Sequence, residues 1–181
     1  MIASGLLYVE SDYENGFNKC LLGVVNKTEI YGLVRFWNKN LIAGQVISYS
    51  GNIQKKENSI VVDVKSFFIL PFSIPEEGMV LPMYLTVHGT LLGGNKIVSD
   101  VWVSDSKSLE KFTTSLVFDP KQKLPAIESM LCIHGSVVAL ENTDFSIKVE
   151  SRDFCPRTQK DSPKTPEKRP AKKPKFVSID M

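Results

Sequence analysis

Two stretches of the chain, about 84 residues apart, carry the same pattern of residues. Residues 44–71 read GQVISYSGNIQKKENSIVVDVKSFFILP, and residues 129–156 read SMLCIHGSVVALENTDFSIKVESRDFCP. Gly51 aligns with Gly135, and Val64 aligns with Val149 once one extra residue is allowed in the second copy. A repeat of this length is typical of a duplicated domain, although two unrelated hairpins could converge on the same pattern.

The rest of the pattern is typical of β-strands. Short runs rich in β-branched and aromatic residues are separated by polar links, as in strands joined by tight turns. Such runs cover residues 19–25, 30–37, 46–53, 60–67, 83–91, 97–103, 112–118, 131–140 and 145–149. The best helix candidate is Leu124 to Met130, where Pro125 suits a first helical turn. The sequence therefore predicts an all-β fold with at most one short helix.

The composition changes at two places and divides the chain into four segments. Residues 71–82 contain three prolines, a glycine and an acidic pair, and they interrupt the strand pattern. From residue 156 onward the chain is rich in Lys, Pro, Ser and Thr and has too little apolar surface to fold. We predict a first domain in residues 1–74, a linker in 75–82, a second domain in 83–155 and a disordered basic tail in 156–181.

Composition also narrows the class of protein. Hydrophobic residues make up 43% of the chain, which is ordinary for a globular protein. No apolar run reaches the roughly 18 residues of a membrane span, and the N-terminus lacks the basic start and apolar run of a secretory signal. Three cysteines without a Cys-x-x-Cys pair fit a reducing compartment. We expect a cytosolic or nuclear protein with no membrane partner.

The sequence contains no pattern of a catalytic or metal-binding site. The two histidines, His88 and His134, lie inside strand patterns, and neither has the spacing from a cysteine that metal ligation requires. Gly93 and Gly94 suit a hairpin turn, since no lysine-bearing helix start follows them. We therefore expect a non-enzymatic protein without cofactor, metal or small-molecule substrate.

The middle of each copy resembles the oligonucleotide/oligosaccharide-binding (OB) fold. In the first copy, a strand that ends in Phe36 and Trp37 is followed by a short link and by residues 46–53, where Gly51 lets the strand bend around a small barrel. In the second copy, residues 112–118 and 131–138 have the same order. The resemblance is to OB-fold proteins of nuclear single-stranded-DNA, telomere-capping or replication complexes. It implies two small OB-like β-barrels in tandem, the first without a clear helix between its third and fourth strands.

Residues 30–37 carry the best candidate for nucleic-acid binding. Alternation puts Tyr31, Arg35 and Trp37 on the face opposite the predicted core. Aromatic rings beside an arginine can stack bases and contact phosphate. The lysines that would extend this face into a basic track are Lys39, Lys55, Lys56 and Lys65. The same aromatics could instead pack against the other domain or a partner protein.

The net charge of +2 is unevenly distributed along the chain. Residues 156–181 hold eight Lys or Arg and three Asp or Glu, which leaves 14 basic and 17 acidic side chains in residues 1–155. An acidic body does not attract nucleic acid as a whole, so contacts must come from a local patch or from the tail.

The tail resembles a nuclear import signal that is preceded by two phosphorylation sites. Its basic cluster comprises Lys168, Arg169, Lys172, Lys173 and Lys175. Ser162 and Thr165 each precede a proline, as in proline-directed kinase sites. A phosphate there would add about −1.5 to −2 charges beside the cluster. We therefore expect a nuclear phosphoprotein.

Three functions are compatible with this sequence. The first is an OB-fold subunit of a nuclear complex that binds single-stranded DNA in telomere or chromosome-end protection or in genome maintenance, together with other subunits. The second is an OB-fold scaffold that recruits proteins without binding nucleic acid, for which Phe67, Phe68 and Trp102 would be exposed. The third is a viral single-strand-binding accessory protein. Analogy with the OB fold and the import signal favour the first.

Overall fold

The computed structural model describes residues 1–11, 15–37, 41–56, 59–71, 81–103, 106–141 and 143–155. Within these ranges the chain forms ten β-strands and no helix, which confirms the predicted all-β fold. The strands are β1 (Ile2–Val9), β2 (Asn18–Val25), β3 (Thr28–Phe36), β4 (Val46–Lys56), β5 (Ser59–Ile69), β6 (Met83–Leu92), β7 (Lys96–Val103), β8 (Ser108–Val117), β9 (Met130–Glu141) and β10 (Asp144–Phe154). None of the described segments is a helix able to cross a membrane.

The first five strands close into a barrel. β1 pairs with β4 along most of its length and with β2 at its end, β2 pairs with β3, and β4 pairs with β5, all antiparallel. The ring closes because β3 and β5 are parallel neighbours. Alternate residues face inward and are buried, such as Ile30, Val34 and Phe36 on β3. Each side chain of this size stabilises the fold by about 1.5–3 kcal/mol when it is fully buried.

The last five strands repeat this connectivity. β6 pairs with β9 and β7, β7 pairs with β8, and β9 pairs with β10, again antiparallel, while β8 and β10 are parallel. The predicted tandem of two OB-like barrels is therefore present. The domain boundaries remain predictions, since most of the linker in 75–82 and the tail in 156–181 lie outside the described residues.

The repeat in the sequence corresponds to the fourth and fifth strands of each barrel. Gly51 and Gly135 occupy equivalent positions, each beside a β-bulge. A Cβ on Gly51 would lie 2.5 Å from the carbonyl oxygen of Asp63, and one on Gly135 would lie 2.0 Å from that of Lys148. The neighbouring backbone leaves no room for a side chain, which explains a glycine in both copies.

The two barrels are joined along their first strands, at a contact that we call the seam. Residues 2–5 of β1 pair antiparallel with residues 83–86 of β6, and Ala3 lies opposite Leu85. The seam ends at Gly5, whose φ is +147° and whose added Cβ would lie 2.4 Å from the carbonyl oxygen of Pro82. This glycine lets β1 leave β6 and bend towards β2. Buried side chains from both barrels form one apolar cluster.

The short helix predicted from Leu124 to Met130 is absent, so that prediction was wrong. Leu124 and Ile127 are 53% and 65% exposed, so the segment has no buried face to stabilise a helix. Glu128 has a φ of 66°, outside the helical region. Its N–H donates to the carbonyl oxygen of Leu91, a tertiary hydrogen bond that replaces a helical one.

Candidate nucleic-acid interface

The outer face of β3 carries the side chains predicted for binding. Tyr31, Leu33 and Arg35 are half-buried and point away from the core. They alternate along β3 with the buried residues Ile30, Gly32, Val34 and Phe36. Trp37 follows directly after β3 and is 61% exposed. The alternation predicted for residues 30–37 is confirmed, and it leaves a large aromatic ring open to solvent.

Arg35 restricts the orientation of this ring. Its guanidinium carbon lies 5.3 Å from the ring centroid of Trp37 and 4.5 Å from that of Phe17. A cation over an aromatic face is attracted to the ring by about 0.5–2 kcal/mol, depending on how far water is excluded. The guanidinium therefore braces the indole from one side and favours this orientation of the ring.

A buried carboxylate in turn fixes Arg35. Asp63 lies opposite Arg35 on β5, with its Oδ1 atom 3.5 Å from Arg35 Nε, and it also accepts a hydrogen bond from the amide of Gln54. The side chains of Arg35 and Asp63 are 17% and 9% exposed, so water screens the pair only weakly. Because Asp63 compensates its charge, we infer that Arg35 positions Trp37 rather than neutralising phosphate.

Asp63 and Phe17 were not among the residues predicted from the sequence. A signal for Asp63 was present, because a carboxylate within an apolar strand such as residues 60–64 needs a partner when that strand is buried. Phe17 had no such signal, since it precedes β2 in a segment without a strand pattern.

An open cleft of about 330 Å³ lies beside the indole. It is lined by Trp37, Asn52, Asp63, Val64, Lys65 and Phe67. Lys65 is the unpaired residue of the bulge between β4 and β5 and is exposed, so its ammonium group adds positive charge to the cleft. An aromatic face, polar side chains and an ammonium group together suit one base and its phosphate.

Tyr31 lies apart from this cleft. It precedes Trp37 by six residues, or about 20 Å of extended strand. Its hydroxyl donates a 2.6 Å hydrogen bond to Glu29, and the Nζ atom of Lys19 lies 4.7 Å from its ring centroid. Hydrogen bonding to the carboxylates of Glu29 and Glu10 raises the pKa of Tyr31. The structure therefore does not bring Tyr31 into one site with Trp37. The two carboxylates beside Tyr31 would also repel a phosphate group.

The predicted lysines are spread over different parts of the molecule. Lys65 lies in the cleft, as described. Lys55 lies between the barrels, where it forms an ion pair with Asp144. Lys56, the last residue of β4, is exposed and does not line the cleft. Of the predicted basic track, Lys65 therefore lines the cleft, whereas Lys55 and Lys56 lie elsewhere.

Several predicted residues lie outside the described residues. They are Lys39, the phosphorylation candidates Ser162 and Thr165, and the import-signal residues Lys168, Arg169, Lys172, Lys173 and Lys175. Within the described ranges, no group of three or more His, Cys, Asp or Glu side chains is arranged to hold a metal ion.

No protein-family model matches the chain, and no curated protein matches its sequence. Among solved structures, the chain is similar to a deletion variant of the single-stranded DNA binding protein from Thermus aquaticus, with a TM-score of 0.42 and 10% identity. The similarity covers 86% of this chain and 94% of the other. At this level the likeness carries no information about what this chain binds.

Proposed function

We propose that the protein binds single-stranded nucleic acid, with DNA as the expected ligand, on the outer face of its first barrel. Trp37 would stack on a base, and Lys65 would contact the adjacent phosphate. The observation that carries this proposal is that an indole exposed over more than half its surface is braced by Arg35 beside an open cleft.

The bracing gives the site an energetic advantage. A base stacked on an aromatic side chain contributes about 1–3 kcal/mol, with little dependence on its identity. Because Asp63 and Arg35 already hold the indole, binding loses less side-chain entropy than it would with a mobile tryptophan. Stacking therefore supplies most of the affinity at this site.

Electrostatics supplies a smaller share. One or two phosphate contacts from the barrel would give a slope of about −0.7 to −1.4 in a plot of log affinity against log salt concentration. The body of the protein is net acidic, with 14 basic and 17 acidic side chains in residues 1–155, so it adds no long-range attraction. A shallow salt dependence is thus expected of the barrel, with any steeper part due to the tail.

The two tryptophans of the chain allow a matched test. Trp37→Ala in the full-length protein should weaken binding of a short oligo(dT) by about 5- to 150-fold, the equivalent of one stacked base. Trp102→Ala is the control, because Trp102 is also exposed, at 54%, but lies on the second barrel. Fluorescence anisotropy at low salt measures both. Equal affinities of the two variants would show that the cleft is not the site.

The cellular setting is a further part of the proposal. The basic cluster of the tail supports a nuclear location for the protein. The acidic body, residues 1–155, supports association with other subunits of a DNA-binding complex that protects chromosome ends or maintains the genome. Replacing Lys172, Lys173 and Lys175 by alanine should move a fluorescently labelled protein out of the nucleus. Unchanged nuclear accumulation would contradict the import signal.

A second candidate function, protein recruitment without nucleic acid, is favoured by one observation. Trp102 and Leu109 lie opposite each other on β7 and β8 and are 54% and 65% exposed. Paired large apolar side chains on a surface are typical of protein contacts. The oligonucleotide assay separates the two functions, since a wild-type protein that binds no single strand at low salt would fit recruitment alone.

A further inference from the structure

The seam makes the outer faces of the two barrels continuous. Residues that are cross-strand neighbours lie on the same face, so a chain of pairings can be followed from β5 to β10. One such chain, which we call the hydroxyl row, consists of Ser66, Ser50, Ser4, Tyr84, Ser136 and Lys148. Five of its six side chains carry a hydroxyl group and the sixth is a lysine.

The hydroxyl row begins beside the proposed cleft. Ser66 directly follows Lys65, the bulge residue that lines the cleft beside Trp37. From there the row crosses five strand spacings, or about 24 Å, to Lys148 on the second barrel. All its side chains are exposed or half-buried. A lysine therefore stands at each end of a shallow path of hydroxyl donors.

An aromatic platform includes one member of the row, Tyr84, where β6 forms the seam. The rings of Tyr84 and His134 are stacked, with centroids 5.7 Å apart and planes 10° from parallel. His134 Nδ1 lies 3.1 Å from the hydroxyl oxygen of Thr86, which fixes the imidazole. Serine and tyrosine hydroxyls bind phosphate oxygens, and stacked rings offer a face to a base. The second barrel thus has groups suited to the same polymer as the cleft.

We propose that a single strand held at the Trp37 cleft continues along the hydroxyl row and ends at Lys148, so that the two barrels bind one strand together. This path rests on the proposed function of the cleft. Nucleic acid is the occupant that fits, because lysines flank the row and its side chains are hydroxylic rather than apolar. A peptide could not add as a strand here, since the central strands β4, β1, β6 and β9 are already paired on both sides.

A comparison of oligonucleotide lengths tests this path. Oligo(dT) of about 4 and about 16 nucleotides brackets the site sizes of single OB folds, and wild-type protein should bind the longer one more tightly. Lys148→Glu should weaken the longer oligomer by about 3- to 10-fold, lower its salt slope by about 0.7, and leave the shorter one unchanged. Lys111→Glu is the matched control, because Lys111 is also exposed on the second barrel but lies on β8, away from the row.

A second variant guards against an effect confined to one lysine. Ser4→Asp places a carboxylate in the middle of the row, at the seam, and should likewise weaken only the longer oligomer. If the shorter oligomer binds but neither variant affects the longer one beyond the control, the path is overturned and the cleft stands. If wild-type protein binds neither oligomer, the proposed function fails, and the path fails with it.

Discussion

The two barrels have the same connectivity, yet the face that forms the cleft in the first has different chemistry in the second. Arg35 lies opposite Asp63 where β3 and β5 run parallel, and the equivalent pair between β8 and β10 is Val117 opposite Lys148. The second barrel therefore has no ion pair at this position. Val117 is instead an apolar side chain exposed at 47%.

The bulge and the strand end differ in the same way. The bulge residue is Lys65 in the first barrel and Glu150 in the second. Two residues after Arg35 stands Trp37, whereas two residues after Val117 stands Asp119. The buried residues that face inward are similar in both barrels and preserve the fold. The outward residues that form an aromatic, cationic cleft occur only in the first barrel, among the residues that the structure describes. The barrel is therefore a shared scaffold, and the cleft formed by a tryptophan beside an ion-paired arginine belongs to the first copy.

The largest effect that would sharpen this comparison is on stability. Arg35→Met leaves the carboxylate of Asp63 buried without its cation, and it should lower the free energy of unfolding by about 2–4 kcal/mol. Val117→Ala, at the equivalent exposed position, should change it by less than about 0.5 kcal/mol. Urea denaturation measures both. Adding Asp63→Asn to Arg35→Met should recover part of the loss, and an additive further loss would show that the ion pair contributes nothing.

The next effect concerns what the barrels share. Gly51→Ala and Gly135→Ala should each cost about 2 kcal/mol, because the added methyl group meets the backbone of the next strand. Gly93→Ala is the control, since an added Cβ there meets nothing within 4 Å. Thermal and urea unfolding compare the three variants. A cost at Gly51 without one at Gly135 would contradict the equivalence of the two bulges.

The smallest effect is on charge at the bulges. Lys65→Glu should weaken binding of a short single strand about 3- to 10-fold and flatten its salt dependence. Glu150→Lys gives the second bulge the charge of the first and should strengthen binding of a long strand by about 2- to 5-fold. Titrations at two salt concentrations provide the measurement. A Glu150→Lys protein that binds long strands no better than wild type would confine the interface to the first barrel.

Much of the fold could be predicted from the sequence because its signals are local. Alternation along residues 30–37 indicated which side chains face the core, and the glycine at Gly51 and Gly135 indicated a bend at the same place in each copy. The seam could not be predicted, since no local pattern of residues 2–5 indicates that they pair with residues 83–86. The helix expected near Leu124 failed because its apolar residues are exposed rather than packed.

The site could be predicted only in part. Exposure of Trp37 and its proximity to Arg35 follow from two-residue spacing on one strand. The partner of Arg35 is Asp63, 28 residues later in the sequence, and only the parallel pairing of β3 with β5 brings them together. Lys55 is separated from Lys65 because Lys55 lies near the hairpin end of the β4–β5 pair, beside the other barrel, whereas Lys65 lies at the bulge near its middle, at the cleft.

Quenching of tryptophan fluorescence tests the central claim most directly. Trp102→Phe leaves Trp37 as the sole indole of the chain, and Trp37→Phe leaves Trp102. Because a stacked base contacts the ring itself, oligo(dT) should quench the emission of the protein that retains Trp37 and leave that of the protein that retains Trp102 nearly unchanged. Equal quenching of the two proteins, or quenching of Trp102 alone, would contradict a stacking site on the first barrel.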